Sequence, residues 1–77
     1  MIFLIKYQRS THEVQELRPF DDADRRAAED ARLESELEQL DNKNLDYEIL
    51  LFEAESEAAL RKTHSRYFKT VQEIAST

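Results

Sequence analysis

The sequence predicts an α+β domain whose elements follow one another in the order β-β-α-β-α. Three observations carry this prediction. Two segments rich in β-branched and aromatic residues, at 2–8 and 45–54, are typical of strands. A long helical pattern lies between them, and a second helix follows from Glu57. We expect a three-stranded mixed sheet with two helices packed on one face.

The first strand spans residues 2–8, Ile-Phe-Leu-Ile-Lys-Tyr-Gln, and a poorer second strand runs from Glu13 to Arg18. The residues between them include no glycine and no Asn-Gly pair, which predicts a hairpin loop longer than two residues. Pro19 has no N–H to donate to a neighbouring strand, so the second strand is expected at an edge of the sheet.

The first helix is predicted to begin at a capping Asp21 or Asp22 and to end near Leu40. Three leucines lie at helical spacing, Leu33, Leu37 and Leu40. Three ion pairs are expected at i,i+4: Arg25–Glu29, Arg26–Asp30 and Arg32–Glu36. The sequence Asp-Asn-Lys-Asn at 41–44 ends the helix, and we expect an asparagine to take the left-handed conformation that glycine usually takes.

The third strand, at 45–54, is apolar on both faces at its centre, and Ser56 is expected to cap the last helix. A right-handed crossover from the second strand to the third would leave the first strand in the middle. Two helices on one face would leave the other apolar face open to water. Because monomers rarely expose large apolar patches, we expect a homodimer formed through this open sheet face.

Composition excludes several classes of protein. Seventy-seven residues are expected to form a single small domain, 1–77, with no linker. No cysteine is present, so disulfides and thiolate metal sites are excluded, and no glycine is present, which excludes phosphate-binding glycine loops. The apolar opening, Met1 to Ile5, is too short for a membrane span and does not resemble a signal peptide, so a cytoplasmic location without membrane binding is expected.

Neither a catalytic residue nor a metal site nor a cofactor is predicted. The acidic run Asp-Asp-Ala-Asp at 21–24 could bind Mg²⁺, but acid at a helix N-terminus is the favoured interpretation. The two histidines, His12 and His64, lie far apart in the sequence, and Ser65 next to His64 would not face it on a helix. An enzyme would therefore need a site assembled only in space.

The stretch Lys-Thr-His-Ser-Arg-Tyr-Phe-Lys-Thr, at 62–70, is the main functional candidate. On one helix it would be two-faced, with apolar and aromatic residues and His64 inward and the cations outward. A capping-box pattern at Thr70–Glu73 leaves open whether 57–75 form one helix or two. The candidate partner-binding residues are Arg61, Lys62, His64, Arg66, Tyr67 and Lys69. The cations could equally serve only to offset the acidic first helix.

The leading hypothesis is a non-enzymatic, homodimeric protein-interaction module that presents a basic patch on its last helix to an acidic protein partner. The alternative is a nucleic-acid-associated factor that uses the same patch, with Tyr67 or Phe68 stacking on bases. The net charge of −6 counts against nucleic acid, because residues 21–57 hold fourteen acids and four bases. An enzyme is the third hypothesis.

Overall fold

The computed structural model describes residues 1–68. A short 3-10 turn, Asp22–Asp24, precedes the first helix, and a break at His64 divides the last helical region in two. The elements are β1 (Ile2–Gln8), β2 (Glu13–Phe20), α1 (Arg25–Asp41), β3 (Tyr47–Glu53), α2 (Glu57–Thr63) and α3 (Ser65–Phe68). The α+β class is confirmed, and the described part of the chain contains one more helix than expected. The capping-box pattern at Thr70–Glu73 lies outside the described residues.

The strands form one sheet in the order β2-β1-β3, and β1 is antiparallel to both neighbours. The central position of β1 is therefore confirmed, but the prediction of a mixed sheet is wrong. The two strands joined by the α1 crossover, β2 and β3, run in the same direction. They never pair with each other because β1 lies between them, so every pair of neighbouring strands is antiparallel.

The prediction that both helices pack on one face of the sheet is also wrong. Leu60 of α2 is buried against Phe3, Ile5 and Tyr7, whereas Ala31 of α1 belongs to a separate core on the opposite face. The physical reason is the double-sided apolar pattern of β1, whose neighbouring side chains point to opposite faces. Each face must be covered by apolar side chains, and α2 with α3 covers one face while α1 covers the other.

Helix α1 contacts the sheet through small side chains. Ala28 is fully buried and Ala31 nearly so, and the core on this face also includes Leu4 and Ile49. The leucines at helical spacing do not enter this core: Leu33, Leu37 and Leu40 are 55%, 52% and 61% exposed. The apolar side of α1 that the leucines define therefore faces away from the sheet.

The hairpin between β1 and β2 has a loop of four residues, as its lack of glycine predicted. His12 ends this loop with a positive φ of 57°, and the strand register shifts between Lys6 and Tyr7 at a bulge. β2 lies at the sheet edge, which confirms the interpretation of Pro19, although the strand extends past the proline to Phe20.

The ends of the helices follow the sequence only in part. Ser56 caps α2 as predicted, since its hydroxyl accepts a hydrogen bond from the Ala59 N–H at 3.1 Å. Asp21 precedes the 3-10 turn but makes no side-chain capping bond. At the end of α1 the left-handed residue is Lys43, with φ of 53°, and not an asparagine. The neighbouring Asn42 keeps a right-handed conformation and closes the helix through its N–H.

Ion pairs along α1 differ from the predicted set. Arg32 pairs with Glu36 at 3.3 Å, as the i,i+4 spacing predicted. Arg25 instead pairs with Glu53 of β3 and so ties the start of the helix to the sheet. Both side chains are more than half exposed, so this contact orients the helix more than it stabilises it.

Asp46 connects the start of β3 to the β1–β2 hairpin. Its carboxylate accepts hydrogen bonds from the Ser10 hydroxyl at 2.5 Å, the Ser10 N–H at 3.1 Å and the Gln8 amide at 3.0 Å. The Arg9 N–H also donates to the Asp46 carbonyl at 2.8 Å. The bond from the Ser10 side chain, followed by that from Gln8, holds the pKa of Asp46 below its ordinary value of 3.8.

This lowered pKa predicts an acid-dependent contribution to stability. Because the folded-state pKa lies below the unfolded one, the contribution is complete above 3.8 and disappears as the pH falls through the folded-state pKa. We expect the wild-type chain to be more stable than Asp46→Asn at about pH 6, with the difference narrowing toward about pH 2. Urea unfolding at a series of pH values measures it, and a difference that stays constant would contradict the assignment.

Candidate functional site

The orientation of α2 is set by Leu60, which is fully buried in the core of the sheet face that carries Phe3 and Tyr7. Because neighbouring residues on a helix point about 100° apart, burying Leu60 turns Arg61 and Lys62 away from the core. Both residues are exposed. One apolar anchor thus determines where the first two cations of the candidate site lie.

His64 interrupts the helix and packs on the sheet. Its backbone has φ −119° and ψ 41°, and its N–H still donates to the Leu60 carbonyl at 2.9 Å. The imidazole stacks on Phe52 of β3, with ring centroids 4.1 Å apart and an interplanar angle of 28°. The sequence leaves open whether residues 57–75 form one helix or two, and the described part of this range forms two, with the break at His64. His64 still lies on the inward side.

Aromatic contacts hold α3 against the sheet. Tyr67 meets Tyr7 edge to face, with centroids 5.0 Å apart, and also lies 5.7 Å from Phe52. Phe68 belongs to the same core, and the Arg61 guanidinium lies 4.5 Å from the centre of its ring. Arg61 also pairs with Glu57 at 3.7 Å, so this cation is oriented by contacts on two sides.

Five of the six candidate residues lie in the described part of the chain, and they separate into two sets. His64 and Tyr67 are half-buried and pack against β1 and β3, which indicates a structural role. The exposed cations Arg61, Lys62 and Arg66 form what we call the basic surface. Lys69 lies outside the described residues.

Beside the basic surface lies a groove of about 430 Å³ that the sequence did not indicate. Val14 and Leu17 of β2 form one apolar wall and Tyr67 and Phe68 of α3 form another. Its charged lining residues are of both signs: Arg61 on the helix side and Glu13 and Glu16 on the strand side. The sequence predicted β2 only as a poorer strand and gave no local signal of a groove, because a groove between distant segments depends on tertiary contacts.

The two histidines make hydrogen bonds that suit structural roles. His12 Nδ1 lies 3.1 Å from the Tyr7 hydroxyl, and His64 Nδ1 lies 3.0 Å from the Thr63 hydroxyl. The Thr63 hydroxyl also donates to the Ala59 carbonyl at 3.0 Å. A hydroxyl has one proton, so while Thr63 donates to a carbonyl, His64 Nδ1 must be the donor in their shared bond. A catalytic histidine would instead accept the proton of the hydroxyl that it activates as a nucleophile.

Residues 1–68 were also compared with what a metal site and a membrane span require. No group of three or more histidine or carboxylate side chains in this range is arranged to hold a metal ion. Across the same residues, every helix is too short or too polar to cross a membrane.

Comparisons with protein-family models, with curated proteins and with solved structures found no match.

The anchoring role of Leu60 predicts a large difference between two leucine-to-alanine substitutions. Leu60→Ala removes a fully buried side chain and should cost about 2–5 kcal/mol of unfolding free energy. Leu37→Ala, at a position 52% exposed, should change it by less than about 0.5 kcal/mol. Equilibrium urea unfolding of both variants measures the difference. Equal effects would show that α2 is not held by Leu60.

Proposed function

We propose that the protein is a non-catalytic protein-interaction module whose basic surface binds an acidic segment of a partner protein. The observation that carries this proposal is the separation of roles along α2 and α3. Leu60, His64 and Tyr67 hold the two helices against the sheet, while the basic surface is presented to solvent. A rigidly anchored charged surface loses little conformational entropy on binding, which favours recognition.

The acidity of the whole chain is compatible with an acidic partner at close range. At physiological ionic strength, charges more than about 8 Å apart are largely screened from each other. A bound acidic segment would therefore respond mainly to Arg61, Lys62 and Arg66 and little to the net charge of −6. Glu13 and Glu16 line the strand side of the groove, so the acidic segment would lie along the helices and not in the groove.

The expected homodimer stays a prediction, but the surface that was expected to form it is covered. Phe3, Ile5 and Tyr7 on one face and Ile2 and Leu4 on the other are all at least 94% buried within one chain. These five apolar side chains of the central strand are thus not available to a second subunit. The proposed function does not depend on dimerisation, and a cytoplasmic location remains part of the proposal on the strength of the cysteine-free composition.

Nucleic acid is the weaker alternative for the same surface. Stacking on bases needs exposed aromatic faces. Tyr67 is packed between Tyr7 and Phe52, and one side of Phe68 is occupied by Arg61. Phe68 also packs against the core, so within residues 1–68 these contacts occupy the two rings on which bases were expected to stack, which favours a protein partner.

Charge reversal at the basic surface should separate binding from folding. Lys62→Glu combined with Arg66→Glu should keep the circular dichroism spectrum and the melting temperature of the wild type, because both residues are exposed. The double variant should lose at least about tenfold in affinity for an acidic peptide labelled with a fluorophore, since two attractive contacts become repulsive. Fluorescence anisotropy at increasing salt measures this loss.

A matched control is the double reversal Arg26→Glu with Lys43→Glu, which makes the same change in net charge at the two ends of α1. It should bind the acidic peptide as the wild type does. Equal losses in both double variants would show that only net charge matters, and tighter binding of single-stranded DNA than of the peptide would favour the alternative.

A further inference from the structure

A second surface of the molecule lies on the outward side of α1. At about 100° per residue, Leu33, Leu37 and Leu40 fall within an arc of roughly 60°, opposite the buried Ala28. All three leucines are more than half exposed. We call this set the leucine stripe. Single exposed leucines are common on protein surfaces, and it is their grouping along one side of the helix that points to an interaction site.

The spacing of the leucine stripe is that of a helix–helix interface. Its residues are separated by four and then three positions, which is the a/d pattern by which one α-helix packs along another. Packing on the sheet does not explain this pattern, because α1 uses Ala28 and Ala31 for that purpose. The helix therefore has two sides that can pack, and the fold uses one of them.

The residues that border the leucine stripe are acidic on both sides. Glu29 and Glu36 lie along one border, and Glu34 and Asp41 lie along the other. Arg32 lies 3.3 Å from the Glu36 carboxylate and partly offsets its negative charge; the side chains of Arg32 and Glu36 are 49% and 43% exposed. In a helix pair these border positions face the corresponding positions of the partner and determine which partners are accepted.

This border disfavours a second copy of the same chain. An antiparallel pair of α1 helices would place each acidic border against its own counterpart, and a parallel pair would place Glu36 opposite Asp41. Both arrangements bring carboxylates together, which is repulsive. An anionic membrane surface is disfavoured for the same reason.

We propose that the leucine stripe docks an amphipathic helix of a partner protein, one with apolar residues at 3-4 spacing and lysine or arginine at the bordering positions. Its apolar residues would cover Leu33, Leu37 and Leu40, and its cations would face the acidic borders. This site is separate from the basic surface, which lies on the helices that cover the opposite face of the sheet.

A designed peptide tests this proposal directly. The probe is a helical peptide of about three heptads with leucine at the a and d positions and lysine at e and g, and its matched control carries glutamate at e and g. Fluorescence anisotropy at about 150 mM salt should show that the lysine peptide binds the full chain at least about tenfold more tightly than the glutamate peptide.

Two double variants show whether the leucine stripe is the site. Leu33→Ser with Leu37→Ser should weaken binding of the lysine peptide at least about tenfold while leaving the melting temperature within a few degrees, since both leucines are exposed. Lys62→Glu with Arg66→Glu, on the basic surface, should leave binding of the lysine peptide unchanged.

Three outcomes would overturn the proposal. The first is equal binding of the lysine and glutamate peptides. The second is unchanged binding by Leu33→Ser with Leu37→Ser. The third is a wild-type dimer in analytical ultracentrifugation that this leucine double variant converts to monomer, because the leucine stripe would then be a self-association surface.

Discussion

The structure depends on one constraint, which is that the central strand is apolar on both faces. Five side chains of β1, Ile2, Phe3, Leu4, Ile5 and Tyr7, are almost completely buried. A strand of this kind is stable in water only when strands flank it and a cover lies on each face. Here β2 and β3 flank the central strand, and the helices cover its two faces.

The helices on the two faces contact the sheet through different kinds of side chain, and this difference produces the two candidate surfaces. On one face, short helices insert one large aliphatic anchor, Leu60, beside packed aromatic rings. Their other sides are free to carry cations. On the opposite face, the long helix approaches through alanines, so its larger apolar residues are left on the outside. The outward chemistry of each helix thus follows from the side chains it uses against the sheet.

Because the chain contains no glycine, other residues must take the backbone conformations with positive φ that glycine adopts most easily. Two positions take a positive φ, His12 in the hairpin loop and Lys43 after α1, within the described range. Non-glycine residues pay a steric penalty in this conformation. Around His12 that penalty is offset by a hydrogen bond to Tyr7, and the adjoining loop is held by the bonds that Ser10 and Gln8 donate to Asp46.

The elements themselves were predictable from local signals. Strand composition, the capping Ser56 and the edge-favouring Pro19 each act over a few residues, so the α+β class and the three strands follow from local signals. The central position of β1 followed from the right-handed crossover between β2 and β3. The break at His64, which divides the last helical region, did not follow from the sequence. The sequence also separates inward from outward residues around Leu60 without reference to the rest of the chain. What it does not contain is the side of the sheet on which each helix lies, because that choice depends on contacts between distant segments.

Tertiary structure alone decided the geometry of the candidate surfaces. It stacked His64 on Phe52, placed Val14 and Leu17 opposite α3 to form a groove, and turned the leucine stripe outward. The helical spacing of Leu33, Leu37 and Leu40 is the same whether they face a core or solvent, so periodicity cannot distinguish the two. The sequence therefore determined that α1 has an apolar side, and packing through Ala28 and Ala31 determined that this side is exposed.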